Sequence, residues 1–345
     1  MAKEDKKEKI ISLEDFMNHL NKEYGKGTVI DASEKETYNK VIPSTSYSFN
    51  NASGIGGIAK GKVTMIGGLP SAGKSTVLYD IMANDHKKFN QPSLLIDKED
   101  AYGQDYGSKL GINNDLVKIV NPRTLEDMYM ILLQAIKLNI FGVIGIDSVT
   151  TFVPKAKLDE GSEKMLQEAT IHSRYMPQVI DALRGTDTAL IGLFQLREKP
   201  GGYGDPYFEP GGNAWLFYSH VRVRITRSEI DKELFQNTMK FHFPKNKLAM
   251  PFKVGTITYS WLGGFDTESE LADIAIDADI ITKTGNTYIF PEIEMTSKIV
   301  GKAKAIQFLK DNPDYLLNVI KPKVTEYLAK TFDASSVEDN NVQVD

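Results

Sequence analysis

Apolar positions along the chain follow two alternating patterns, and the alternation predicts the architecture. KVTMIG (62–67), SLLID (93–97), GVIGID (142–147) and ALIGLF (189–194) are short, nearly continuous apolar runs. Such runs read as strands buried on both faces. Between them, TVLYDIMANDHKK (76–88) and segments near 124–138 and 164–184 place apolar residues at helical spacing. Strands alternating with helices predict an α/β fold with a mostly parallel sheet covered on both sides. VRVRIT (221–226), MKFHF (239–243) and GTITYSW (255–261) follow closely and alternate, which predicts an antiparallel extension of the same sheet.

The flanks differ. Residues 1–35 read as a short charged amphipathic helix, with Ile10, Ile11, Leu13, Phe16, Met17 and Leu20 as its stripe and YGKG (24–27) as its stop. So short a segment needs its own core or a neighbouring subunit to cover that stripe. Residues 36–268 form the predicted core. Residues 269–331 read as a small α+β lobe, three short helices with a hairpin-like TKTGNTYIF between the first two. Residues 332–345 are polar and acidic and are expected to be a disordered tail. No internal repeat is visible.

Composition narrows the class. With 345 residues, 41% hydrophobic and 25% charged, the chain has the make-up of a soluble globular protein. No apolar run reaches the ~18 residues of a membrane span, so no membrane partner is expected. MAKEDKKEKI at the start has no apolar h-region and is not expected to be a secretory signal. The absence of cysteine excludes disulfides and thiolate metal sites and fits a cytoplasmic setting. The five histidines show no metal-ligand spacing. A net charge of −5 means that a nucleic-acid site must be local or assembled from several subunits.

The strongest chemical signal is MIGGLPSAGKST (65–76). It fits G-x-x-x-x-G-K-[ST], with Gly68, Gly73, Lys74 and Ser75 at the fixed positions, between a predicted strand and a predicted helix. The backbone through Pro70, Ser71, Ala72, Gly73 and Thr76 would cradle phosphates at the helix N-terminus. Lys74 would reach the β- and γ-phosphates and Ser75 would bind Mg²⁺. A nucleoside triphosphate is therefore the expected ligand. Asp147 ends another apolar strand and would hold Mg²⁺ through water, or else cap the next helix. Asp97, Glu99 and Asp100 end a third. One of them would orient or deprotonate the attacking water, and spacing does not say which.

Two further stretches suit polyanions. Residues 193–218, LFQLREKPGGYGDPYFEPGGNAWLFY, hold a long Gly- and Pro-rich interruption. Arg197, Lys199, Tyr203, Tyr207 and Phe208 there suit stacking on single-stranded bases, against a plain surface loop as the alternative. Lys245 and Lys247 would share one face of an extended strand, as a solvated edge or as a phosphate clamp.

The arrangement resembles the RecA recombinases over nearly the whole chain. LNKEYGKGTVI (20–30), GLPSAGKST, IDKEDAYGQDYGSKLGI (96–112), IDSVTTFVPKA (146–156), GGNAWLFYSHVRVRI (211–225), KNKLAMPFK (245–253) and KAKAIQFLKDNP (302–313) carry the resemblance in order. It implies a RecA-like P-loop ATPase core that uses ATP and Mg²⁺. It also implies a helical filament of this chain on single-stranded DNA that pairs with double-stranded DNA and exchanges strands. Glu99 falls on the water-activating glutamate, Tyr106 on the aromatic that stacks on adenine, and Gln195 on the glutamine that senses the γ-phosphate. Two DNA-binding loops are implied near 157–169 and 198–210; Arg174 just beyond the first falls on a DNA-contacting arginine, and Gly211, Gly212 and Asn213 just beyond the second fall among the DNA-binding residues. Lys245 and Lys247 fall on lysines that reach the neighbouring subunit's γ-phosphate, and Phe217 on an aromatic at that interface. The chain departs from the family in a longer acidic first loop, in Gly103 where an adenine-side acid is usual, and in Phe194 before the sensing glutamine. Two other readings fit the core: a hexameric helicase motor and a non-catalytic ATP-binding scaffold.

Overall fold

The four apolar runs lie side by side in one sheet. The structure is a computed structural model that describes residues 12–25, 28–32, 40–156, 165–199, 206–231, 236–260, 264–293 and 299–332. The tail from 333, Tyr203, and the segments 157–164 and 200–205 of the two implied loops lie outside the described residues.

Residues 1–37 form a unit of their own, in which α1 (Leu13–Tyr24) is the described helix. Ser12 caps it by accepting from the Asp15 amide while Asp15 reaches back to the Ser12 amide.

Residues 38–345 form the second unit. Its first part runs β1 (Val41–Ile42), α2 (Tyr47–Ser53), β2 (Ile58–Ala59), β3 (Val63–Gly68), α3 (Lys74–Phe89), β4 (Ser93–Asp97), α4 (Gln104–Lys109), β5 (Val117–Val120) and α5 (Leu125–Leu138). It continues with β6 (Val143–Asp147), α6 (Met165–Leu183), β7 (Ala189–Gln195), β8 (Arg197–Glu198), β9 (Tyr207–Phe208) and α7 (Ala214–Tyr218). Then come β10 (Val221–Asp231), β11 (Gln236–Asn246), β12 (Val254–Ser260), β13 (Gly264–Phe265) and α8 (Thr267–Asp277). The last part holds β14 (Thr282–Thr284), β15 (Thr287–Ile289), β16 (Ile299–Val300), α9 (Lys302–Asp311), a turn at Pro313–Tyr315, π-helical Leu316–Ile320 and α10 (Lys321–Phe332).

The main sheet has the order β13-β12-β11-β10-β3-β7-β6-β4-β5. Strands from β10 to β5 are parallel, and β11, β12 and β13 extend it antiparallel. The expected parallel core with an antiparallel extension is what forms. β3, β4 and β6 are buried at every position, because α2 and α3 cover one face and α5 and α6 the other. Each fully buried aliphatic chain contributes about 1.5–3 kcal/mol.

The helices are bounded by ordinary chemistry. Thr124 caps α5 through the Asp127 amide, and Asn139 closes it at φ 50°. A separate apolar cluster joins α8, β15, α9 and α10. It is tied to the core by Glu270, whose buried carboxylate accepts from Ser46 Oγ and from the Tyr47 and Ser48 amides at the start of α2. Among the described residues no helix is long and apolar enough to cross a membrane.

Candidate nucleotide and DNA sites

Parallel strands all finish at the same edge, and here the finishing residues are the chemical ones. Gly68 ends β3, Asp97 β4, Asp147 β6 and Gln195 β7. Register aligns Gly68 with Gln195 and Asp97 with Asp147. A cavity of about 480 Å³ opens above them, lined by the loop from Pro70 to Thr76 together with Glu99, Tyr106, Asp147 and Gln195. This is the size and position of a ligand crevice in an open α/β sheet.

The loop has the shape its sequence requires. Gly73 sits at φ 96°, and a Cβ there would meet Met239 Sδ, so both the conformation and the close approach need glycine. α3 starts at Lys74 without a side-chain cap, leaving its first amides free for an anion. Lys74 Nζ folds back to donate to the Gly68 and Leu69 carbonyls at 3.1 and 3.0 Å. Burial makes its ammonium easier to deprotonate, opposed by Asp147 and Glu99 nearby. An incoming triphosphate would replace two neutral carbonyl partners with anionic ones.

Ser75 Oγ donates to Asp147 Oδ2 at 2.6 Å. Burial raises the Asp147 carboxyl to about 6, against that hydrogen bond. A buried carboxylate beside a hydroxyl at the mouth of a phosphate loop is a hard oxygen set that fits Mg²⁺.

The geometry separates the three acids that spacing could not. Asp97 is buried, and its Oδ2 caps the Ala101 and Tyr102 amides at 3.0 Å each. Asp100 is exposed at φ 51° and does not line the cavity. Glu99 lines it, and its Oε1 accepts from Ser148 Oγ at 2.8 Å and from Gln195 Nε2 at 2.6 Å. Tyr106 stands at the other end, its hydroxyl joined to Thr76 Oγ1 and to the Tyr259 hydroxyl.

Sequence reading missed several residues of the site. Ser148, which holds Glu99 Oε1, directly follows Asp147 and was within reach of a motif argument. Asn237, Met239, Tyr259 and Arg227 arrive from β10, β11 and β12, far along the chain, and no local pattern marks them. The Asn237 Oδ1 is buried without a partner.

The second implied loop leaves the same edge. Leu196 N donates to the Gly68 carbonyl that also holds Lys74. β8 and β9 then pair as a hairpin stem, Arg197 opposite Phe208 and Glu198 opposite Tyr207. Successive strand residues face opposite ways. Tyr207 and Phe208 therefore project from opposite faces of the stem. Glu209 ties the returning leg to β10 through Arg222 and Arg224 at 2.9 and 3.3 Å. Arg174, Arg197 and Lys199 are exposed. Gly211 and Gly212 take φ 101° and 80° and lie against α6, and Asn213 precedes α7.

Lys245, Lys247 and Phe217 do not line the cavity but cluster elsewhere. Lys245 Nζ donates to the Leu216 and Phe217 carbonyls at 2.6 and 2.8 Å. Lys247 Nζ lies over the Phe217 ring, which is 67% exposed. Partial burial, together with Lys247 and Arg222, lowers Lys245 to about 8.

Comparison with known proteins agrees with this geometry. The model of the RecA N-terminal domain matches residues 11–266. "Protein RecA" of Lactobacillus johnsonii is 32% identical over 346 residues, covering 98% of this chain and 93% of the relative. "Protein RecA" of Bacillus subtilis is 31% identical over 323 residues, covering 92% of this chain and 91% of the relative, and that of Clostridium tetani is 31% identical over 343 residues. A family match of this extent, on a sheet whose strand tips carry the expected loop and acids, makes the chain a member of the RecA family.

Proposed function

We propose that this chain is an ATP-dependent DNA recombinase, which assembles as a helical filament on single-stranded DNA and catalyses pairing and strand exchange while hydrolysing ATP. The observation that carries the reading is the convergence of Lys74, Ser75, Asp147, Glu99 and Gln195 on one cavity whose edge continues into the β8–β9 hairpin. The relatives carry the recombinase's name over nearly their full length, and no observation favours the hexameric helicase.

The residues divide the chemistry. Lys74 leaves the Gly68 and Leu69 carbonyls for the β- and γ-phosphates. Ser75 and Asp147 would hold Mg²⁺, which would supply positive charge beside the phosphate oxygens. Glu99 orients a water and takes its proton as the oxygen attacks the γ-phosphorus, and the bond to the β-phosphate oxygen breaks. Tyr106 packs on the base. Gln195 exchanges Glu99 for the γ-phosphate, and this moves the root of the hairpin at Leu196. DNA affinity thereby follows the nucleotide state, an order–disorder switch of the kind nucleotide-dependent proteins use. Lys245 and Lys247 complete the active site of the adjoining subunit, next to Phe217.

Electron microscopy of the chain with single-stranded DNA and a non-hydrolysable ATP analogue tests this. Open helical filaments are expected. Closed rings would select the helicase, and no assembly would leave a scaffold.

A further inference from the structure

Beneath the borders of the two implied DNA loops lies a chain of buried polar groups that the ATP chemistry does not use. Tyr129 of α5, His172 of α6 and Trp215 of α7 are 0, 2 and 1% exposed, inside an otherwise apolar cluster. Trp215 Nε1 is 3.0 Å from the Tyr129 hydroxyl, which is 2.6 Å from His172 Nδ1. An indole N–H can only donate. Tyr129 therefore accepts from Trp215, and with its hydroxyl hydrogen donated to His172 Nδ1 the imidazole carries its own proton on Nε2. Burial keeps that imidazole neutral at physiological pH.

The hydrogen-bonded trio reaches both loop borders. Tyr129 stacks on Tyr175, with centroids 4.8 Å apart and planes 7° from parallel. The Arg174 guanidinium carbon lies 5.7 Å from the Tyr175 ring centre. A Cβ on Gly211 would lie 3.3 Å from His172 Nε2, and one on Gly212 2.8 Å from the Ala169 Cβ. The returning leg of the second loop is thus laid flat on the helix that follows the first.

We propose that Tyr129, His172 and Trp215 are positioning residues for DNA binding. They form a platform that sets Arg174 and the exit of the second loop in one fixed relation, so that both meet the same strand. Three apolar side chains would fill the space equally well. A directional hydrogen-bond chain from Trp215 through Tyr129 to His172 instead selects a single arrangement of α5, α6 and α7. The proposal rests on the DNA-binding reading given above and goes beyond it in naming what aligns the two loops.

The test is a double-mutant cycle on single-stranded DNA affinity in the presence of ATP analogue. Tyr129→Phe deletes one oxygen and leaves the ring stack. Arg174→Ala is expected to weaken DNA binding about tenfold, as for one lost charge-assisted contact. Tyr129→Phe is expected to weaken it several-fold without changing ATP affinity, and to add nothing in the Arg174→Ala background. His172→Asn, whose amide oxygen can accept where Nδ1 did, should retain affinity that His172→Leu loses. Full additivity, or equal losses of ATP and DNA affinity in Tyr129→Phe, would overturn the platform alone. An Arg174→Ala variant with unchanged DNA affinity would instead overturn the placement of Arg174 on DNA, and the platform with it.

Discussion

Gln195 donates its side-chain amide directly to Glu99 Oε1 at 2.6 Å. The residue at the root of the hairpin and the carboxylate at the cavity are therefore direct hydrogen-bond partners. Ser148 Oγ holds the same oxygen from another side. In the proposed reaction Glu99 accepts from the attacking water while Gln195 turns from Oε1 to the γ-phosphate.

That exchange gives opposite results for the two partners. Glu99→Gln should keep ATP binding and slow hydrolysis by about 10²–10⁴-fold, the usual general-base contribution. Gln195→Ala should keep ATP binding and the rate without DNA within a few-fold, and lose stimulation by single-stranded DNA. ATPase assays with and without DNA decide it. A Gln195→Ala variant still stimulated as in wild type would make the bond incidental.

The hairpin stem separates the two aromatics by face. Phe208 lies opposite Arg197, and Tyr207 opposite Glu198. A base stacked on Phe208 brings its phosphate toward a cation, whereas on Tyr207 it meets a carboxylate. Phe208→Ala should weaken single-stranded DNA binding by about 1–3 kcal/mol, the usual value of one base–aromatic stack. Tyr207→Ala should have a much smaller effect. Titrations at fixed salt measure both, and the reverse order would reassign the DNA face.

What the chain made legible before folding follows from where its information is local. The phosphate loop, the strands ending at Asp97, Asp147 and Gln195, and the helices 125–138 and 165–183 were all readable, because each lies within one continuous window of periodicity or one fixed spacing. β1, β2 and β13 were not readable, since two residues cannot display an alternation. The choice among Asp97, Glu99 and Asp100 was closed to spacing, because it depends on which one turns back to cap Ala101 and Tyr102 and which one meets Gln195 from another strand. Asn237 and Tyr259 reach the cavity only through the register of β11 on β12, and the Tyr129–His172–Trp215 chain only through helix packing. Contacts made across the sheet or between helices leave no local pattern.

The lowered basicity of Lys245 gives a chemical handle on the proposed subunit interface. Its amine loses its proton near pH 8 rather than near the ordinary 10.5. Below about 8 it is an ammonium, and above it a neutral nucleophile. The sign for stability is the reverse of a salt bridge: the protonated folded form carries a cost at neutral pH, which is relieved as pH rises through 8. Pulse labelling with an amine-selective reagent, read by mass spectrometry, should show Lys245 modified with a midpoint near pH 8 in the free chain. Assembly on DNA with ATP analogue should suppress that labelling, because a neighbour's phosphate restores and covers the charge. A midpoint shared with surface lysines, or labelling indifferent to assembly, would place Lys245 away from the interface.

The last prediction concerns whether the active site is divided between subunits. Lys245 and Lys247 do not line the cavity of their own chain, yet they project beside the exposed Phe217, where a second copy can be met. A head-to-tail contact whose rotation does not close generates a filament, as proposed here. Glu99→Gln and Lys247→Ala should each abolish DNA-stimulated turnover when assembled alone, because every interface then lacks either the base or the cation. Mixed in equal amounts, roughly a quarter of the interfaces in a random filament would join an intact Glu99 to an intact Lys247, so turnover should reappear at about that fraction of wild type. A lysine acting within its own subunit leaves no complete site in the mixture, and the rate stays at background. That result would remove the shared site, and with it the physical reason for hydrolysis to wait on assembly.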